Sequence, residues 1–214
     1  VGAYERWVFN PLMELNLGRP SVVRQRTAAL QPARGRVLEV GLGTGMNLPH
    51  LPANITTVAA VGPPAEPDAR ARQRARERGL TLDYRSGLAE ALPFSDAAFD
   101  TVVCTFVLCT VGDPLAALAE FRRVLDPEGQ LLFLEHGPSR RPLRRALQRA
   151  IERPHRVVAC GCSLVRPTET TIVAAGFDLR SVTHEDVQGV AFPYRDMVRG
   201  IARPVGLRGS GRDG

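Results

Sequence analysis

The sequence predicts an α/β protein built on a mostly parallel, doubly wound sheet. Strand-like apolar runs alternate with helical segments of about a dozen residues, the pattern that forces parallel pairing. The run Phe99-Asp100-Thr101-Val102-Val103-Cys104 is apolar almost throughout, as a strand covered on both faces must be. Between the first strand and the next helix, Gly41, Gly43 and Gly45 fall at every second position, so the backbone turns tightly and stays open to close approach.

In order, residues 4–31 read as helical, interrupted by Pro11 and by Gly18-Arg19-Pro20. A strand from Arg36 to Val40 leads through the glycine turn into a short helix ending near Pro49. A second strand spans Ile55 to Val61, an arginine-rich helix Asp68 to Arg78, and a third strand Leu80 to Tyr84. After the fourth strand, Asp113-Pro114 supplies a side-chain cap and a first-turn proline for a helix reaching Leu125. Pro127-Glu128-Gly129 turns the chain into a fifth strand, Gln130 to Glu135. Beyond it come a basic helix (Pro142 to Glu152), a helix from Pro167 to Ala175, and strands at Asp178 to Thr183 and Val190 to Ala202. The divisions expected are 1–32 as an N-terminal helical lid, 33–137 as the ligand-binding core, 138–203 as a substrate-side part, and 204–214 as a flexible tail.

At 214 residues the chain fits one domain with a sizeable core. No apolar run approaches the roughly 20 residues of a membrane span, and no signal peptide is evident. The chain opens at Val1 without a methionine, so residues before it are expected. Four cysteines make no secreted disulfide framework, and a cytoplasmic setting follows. All 28 basic residues are arginine and the net charge is +6, which suits anionic partners. Yet no aromatic residues interleave with the arginine clusters, which argues against a nucleic-acid partner. Peripheral membrane contact and oligomeric state stay open. The Cys160-Gly161-Cys162 segment with His155 nearby matches no structural zinc pattern, so no metal is expected.

The run Glu39-x-Gly41-x-Gly43-x-Gly45 lacks the third glycine of a dinucleotide loop, because Met46 and Leu48 stand where it would fall. That spacing disfavours a nicotinamide oxidoreductase. It resembles motif I of class I methyltransferases that use S-adenosylmethionine (SAM). Two further segments resemble the "methyltransferase type 11" group: Glu90-Ala91-Leu92-Pro93-Phe94-Ser95-Asp96-Ala97-Ala98-Phe99-Asp100, and Leu118-Ala119-Glu120-Phe121-Arg122-Arg123-Val124-Leu125. More narrowly, Cys104 to Cys109, Leu134-Glu135-His136-Gly137 and Gly161 to Pro167 resemble bacterial relatives of the thiol methyltransferase-like proteins. The same motifs in part belong to packing, with Phe94 and Phe99 as core residues.

The resemblance implies a Rossmann-like seven-stranded sheet with helices on both faces, an antiparallel last strand and an N-terminal helical lid. It implies SAM as cofactor, S-adenosylhomocysteine as product and a small-molecule methyl acceptor, with a thiol in view and a quinol or lipid amine as alternatives. By position, Gly41, Gly43 and Gly45 pass under the methionyl and ribose parts, and Glu39 supports the ammonium. Asn47 reaches the carboxylate end, Leu88 and Ala89 meet the adenine, and Thr105 and Phe106 line the wall beside the sulfonium. At Gly62 the family's strand-end acid is missing, which motivates a second reading as a SAM- or nucleoside-binding protein without transferase activity. His136, just past the fifth strand, is the candidate general base. Tyr4, one helical turn from Trp7 and on the same helix face, is a second candidate catalytic residue, on the lid.

Overall fold

The computed structural model describes residues 10–63 and 65–206. Two helices open it, α1 (Asn10–Leu17) and α2 (Pro20–Leu30). They precede β1 (Val37–Val40), a 3-10 turn at Leu48–His50, β2 (Thr57–Gly62), α3 (Ala69–Glu77) and β3 (Thr81–Ser86). Then follow β4 (Phe99–Thr105), α4 (Pro114–Val124), β5 (Leu125–His136), α5 (Pro142–Val158), α6 (Thr168–Ala174), β6 (Phe177–Asp186) and β7 (Asp196–Pro204).

The seven strands form one sheet in the order β3-β2-β1-β4-β5-β7-β6. Pairing is parallel from β3 through β5, and β7 runs antiparallel to both β5 and β6. Side chains alternate across the strands, and this splits the core in two. Leu38, Val40, Val102, Cys104, Leu131 and Phe133 pack on one face with Phe121 of α4. Val37, Val58, Val103 and Leu132 pack on the other with Ala71 and Ala75 of α3. Burial on both faces explains why β1 and β4 lack the polar alternation of a half-exposed strand.

The Asp113 cap forms as expected: its carboxylate accepts from the Leu115 and Ala116 amides. The family-like motifs around residues 90–125 interlock. Arg123 donates to the Phe94 carbonyl at 2.8 Å and to Asp96 at 2.7 Å, while Glu120 accepts from the Leu92 amide at 2.7 Å. Phe94 and Phe99 meet edge to face. These residues therefore brace α4 against the 92–96 loop.

Several boundaries differ from the sequence expectation. β5 already begins at Leu125, so Pro127-Glu128-Gly129, expected as a turn ahead of the strand, lies within it, and the short helix expected near Pro49 is a 3-10 turn. The basic helix continues past Glu152 through Pro154 to Val158, because the remaining backbone bonds of its last turns still close, as in the Ala159 amide donating to the His155 carbonyl. The last strand begins at Asp196 rather than Val190, after a turn with a cis Phe192–Pro193 bond. Pro204, expected as the start of the flexible tail, belongs to β7, opposite Phe177 of β6. Tyr4 and Trp7, like residues 207–214, lie outside the described residues.

Candidate functional site

Strands β1, β2, β4 and β5 end on one edge of the sheet, where the crossovers leave a crevice. A cavity of about 1020 Å³ opens there. Its walls come from α1, the glycine turn, the start of α3, the loop after β4 and the 190–197 segment.

The three glycines of the turn all have positive φ, but they serve different ends. A Cβ on Gly41 would collide with Val107, and one on Gly45 would sit 2.8 Å from the Ala71 backbone in α3. Those two let the turn pack. At Gly43 the nearest atom is the Gly41 carbonyl oxygen at 3.8 Å, so the missing side chain leaves open space in the cavity wall.

Beneath the turn lies a buried polar cluster. Glu39, Asn47 and Arg26 are each no more than 3% exposed. The Asn47 amide donates to Glu39 Oε1 at 3.0 Å and to the Thr105 hydroxyl at 2.9 Å, while the Arg26 guanidinium donates to Asn47 Oδ1. Burial lifts the Glu39 carboxyl to about 8 against the pull of Arg26, and burial lowers Arg26 to about 10. Among the described residues, Glu39 Oε2 and Arg26 Nε have no hydrogen-bond partner. A buried acceptor and a buried cationic donor, linked through Asn47, are thus left unsatisfied at a cavity both residues line. Such orphans are costly unless a ligand satisfies them. An ammonium for Glu39 and a carboxylate for Arg26 would do so, and both are borne by one amino-acid end group. Arg26 is absent from the sequence-predicted set; on α2, a helix with no local motif, nothing short of the fold marks it.

At the next strand end, Gly62 is the last residue of β2, in register with Ser86 of β3. Its carbonyl accepts from the Tyr84 hydroxyl at 3.1 Å. Glu66 and Asp68 line the cavity nearby. Asp68 is engaged in capping α3 and pairing with Arg70, and Glu66 pairs with Arg72 at 3.3 Å. Glu14 of α1 bridges to Arg70 and Arg74, which ties the N-terminal helix across the cavity mouth.

The far wall is sulfur-rich. His136 Nε2 lies 2.9 Å from Cys162 Sγ, which is 3.7 Å from Cys109 Sγ. Burial disfavours a charged His136 ring, but Cys109 and Glu135 more than offset it and hold the imidazole above its ordinary range. His136 Nδ1 is buried without a partner among the described residues. Tyr194 stands edge-on to this ring, with ring centres 5.3 Å apart, and its hydroxyl lies 2.6 Å from His155 Nε2. Glu135 faces away from the chemistry. It accepts from the Val107, Leu108 and Cys109 amides at 2.8, 2.9 and 3.2 Å and so shapes the loop that presents Phe106 and Cys109.

The structure brings Glu39, Gly41, Gly43, Asn47, Gly62, Thr105, Phe106 and His136 to one cavity. Gly45 supports the turn from behind. Leu88 and Ala89 stand apart from the lining: Leu88 is 56% exposed, and Ala89 is buried in the core with Leu92 and Phe94. Cys109, Cys162 and Tyr194 belong to the wall without having been predicted. They come from three loops that no short sequence window joins.

Residues 38–133 match the family described as "Methyltransferase domain". A phosphatidylethanolamine N-methyltransferase from Cereibacter sphaeroides is 38% identical over 138 residues, 63% of this chain and 66% of that protein. A demethylmenaquinone methyltransferase from Deinococcus radiodurans is 35% identical over 133 residues, 61% of this chain and 55% of that one. The match thus spans about half to two thirds of these relatives' length. A SAM-dependent methyltransferase from Thermotoga maritima superposes with a TM-score of 0.67 at 22% identity, covering 95% of this chain and 98% of that one. Another from Mesorhizobium loti gives a TM-score of 0.61 at 19% identity, covering 87% and 99%. These two likenesses concern the fold.

Proposed function

We propose that this chain, which belongs to the class I SAM-dependent methyltransferases, transfers the methyl group of SAM to a small thiol. The observation that carries the reading is the pair of orphaned polar atoms, Glu39 Oε2 and Arg26 Nε, beside the open face of Gly43. They fit the amino-acid end of SAM. SAM supplies an already activated methyl on a sulfonium, so the chain's task is placement and exclusion of water.

In this reading Glu39 and Arg26 hold the ammonium and carboxylate, Asn47 locks the two together, and Gly43 lets the backbone approach the ligand. Thr105 and Phe106 line the wall between donor and acceptor. α1, with Met13 and Leu17 at the cavity and Glu14 clasped to α3, closes the mouth as a lid, with Tyr4 on the segment before it. A thiol attacks as its thiolate, and His136 on the acceptor wall is placed to take the proton. The relatives' names speak of a lipid amine and a quinol. The cysteine-histidine wall favours a thiol here, and a cytoplasmic setting suits four cysteines of which none forms a disulfide. No helix among the described residues is long and apolar enough to cross a membrane.

Gly62 favours one competing reading, a SAM binder without turnover, since a strand-end acid that would grip ribose hydroxyls is missing. Methyl transfer from labelled SAM across thiols, phenols, quinols and amines separates the two. Turnover on thiols supports the proposal, turnover confined to another class corrects the acceptor, and tight SAM binding without any turnover favours the binder.

A further inference from the structure

We propose that Cys109, His136 and Cys162 form a zinc site whose fourth position opens into the cavity and takes the acceptor sulfur as a thiolate. The site itself stands on geometry; the role of its fourth position rests on the transferase reading above.

The three ligand atoms lie within 4.8 Å of one another, and all three residues are buried. They converge from separate elements: Cys109 from the loop after β4, His136 from the end of β5, and Cys162 from the loop after α5. Their spacings fit a metal better than a disulfide. Two thiolates on a tetrahedral zinc, each at about 2.3 Å, stand about 3.8 Å apart. The Sγ atoms of Cys109 and Cys162 are 3.7 Å apart. A disulfide needs about 2.05 Å, so these sulfurs would have to close by roughly 1.7 Å. A tetrahedral thiolate–imidazole edge is about 3.6 Å. His136 Nε2 is 2.9 Å from Cys162 Sγ, so the ring needs an outward shift of only about 0.7 Å. Three protein ligands with one open position is the arrangement of catalytic rather than structural zinc. All three residues line the same cavity as Glu39 and Gly43, so the open position faces the methyl donor's side.

The chemistry balances. Two thiolates and a neutral imidazole cancel the charge of Zn²⁺, and loading releases the two thiol protons to solvent. An acceptor thiol entering the fourth position likewise gives its proton to solvent. Its sulfur electron pair then forms the new carbon–sulfur bond while the methyl–sulfonium bond breaks. The products are a neutral thioether and S-adenosylhomocysteine. The thioether is a weaker ligand than the thiolate, which favours its release. Zinc would thus generate the nucleophile in place of His136, whose ring serves as a ligand when the metal is bound and takes the proton only in the metal-free site.

The test starts from the full chain purified under reducing conditions, stripped with a chelator and reloaded with zinc alone. Metal analysis is expected to give about one zinc per chain. Cobalt loading should give the intense thiolate-to-metal absorption and the visible bands of a tetrahedral site. Cys162→Ser and His136→Ala should lose the metal, whereas Cys160→Ser, two residues from a ligand but outside the cluster, should keep it. Should either ligand variant fail to fold, the parent still decides: zinc must raise its Tm, and the chelator must reverse that. SAM affinity of the parent, read separately by calorimetry, keeps the two claims apart. A reduced parent that binds SAM but no zinc overturns the metal site and leaves the transferase reading standing. Zinc bound without SAM does the reverse. A Cys109–Cys162 disulfide in a metal-free protein, found by mass spectrometry, also overturns it.

Discussion

Replacing Glu39 with glutamine should move stability and SAM affinity in opposite directions. In the folded chain the Glu39 carboxyl titrates near 8 instead of 4.5, because burial outweighs the attraction of Arg26. Between those two values the folded state holds a proton that the unfolded chain gives up, so stability falls as pH rises from about 4.5 and levels off above about 8. Each unit is worth about 1.4 kcal/mol, which makes the loss roughly 3 kcal/mol at pH 7. Glutamine stands in for the protonated acid and still accepts from the Asn47 amide. The variant should therefore gain most of that energy, a rise in Tm of about 6–12 °C for a domain of this size at pH 7, shrinking to nothing near pH 4.5. SAM binding should weaken by about 10- to 150-fold, since a charged acceptor worth about 1.5–3 kcal/mol to the ammonium is gone. Calorimetry in buffers of different ionisation enthalpy adds a second signature: the parent should release close to one proton on binding SAM at pH 7, and the variant none. Thermal melts across pH and SAM titrations test all of this. A less stable variant at pH 7, or one that binds SAM as tightly as the parent, would refute the assignment of Glu39 to the ligand's ammonium.

Gly43→Val should abolish SAM binding in a folded sheet, because its side chain enters the open space above the turn; undiminished affinity would remove the loop from the ligand site. Gly62→Asp should tighten SAM binding by about ten- to a hundredfold by restoring a strand-end acceptor. Unchanged affinity there would mean that Glu66 or Asp68 already reaches the ribose despite the ion pairs it makes. Deleting residues 1–17 should leave a core that binds SAM measurably yet methylates poorly, since the Glu14 clasp and the mouth covering are lost. Full turnover, or a chain that no longer folds, would count against the lid.

What could be read in advance follows the range over which each signal acts. The sheet was legible because strand burial and crossover length are written locally: the largely apolar run at 99–104 and the Asp113-Pro114 cap each specify their own element. The glycine turn was legible for the same reason, although the sequence treats Gly41, Gly43 and Gly45 alike. Only the fold shows that Val107 and Ala71 fill the space at two of them and leave Gly43 open. Arg26 and the Cys109–His136–Cys162 wall were not legible as a site. Arg26 meets Asn47 across 21 residues, and the cysteines meet His136 from 27 and 26 residues away, distances at which chain spacing carries no information. The conspicuous Cys160-Gly161-Cys162 pairing misdirects, because of the two cysteines only Cys162 lines the cavity. In the proposed reading the donor half of this site thus sits, Arg26 of α2 apart, on strand ends and a turn that local sequence specifies. The acceptor half is assembled from loops whose meeting depends on β5 bringing His136 up beside the loop that Glu135 holds in place. The family match covers residues 38–133, and His136, Cys162 and Tyr194 of that wall lie beyond it.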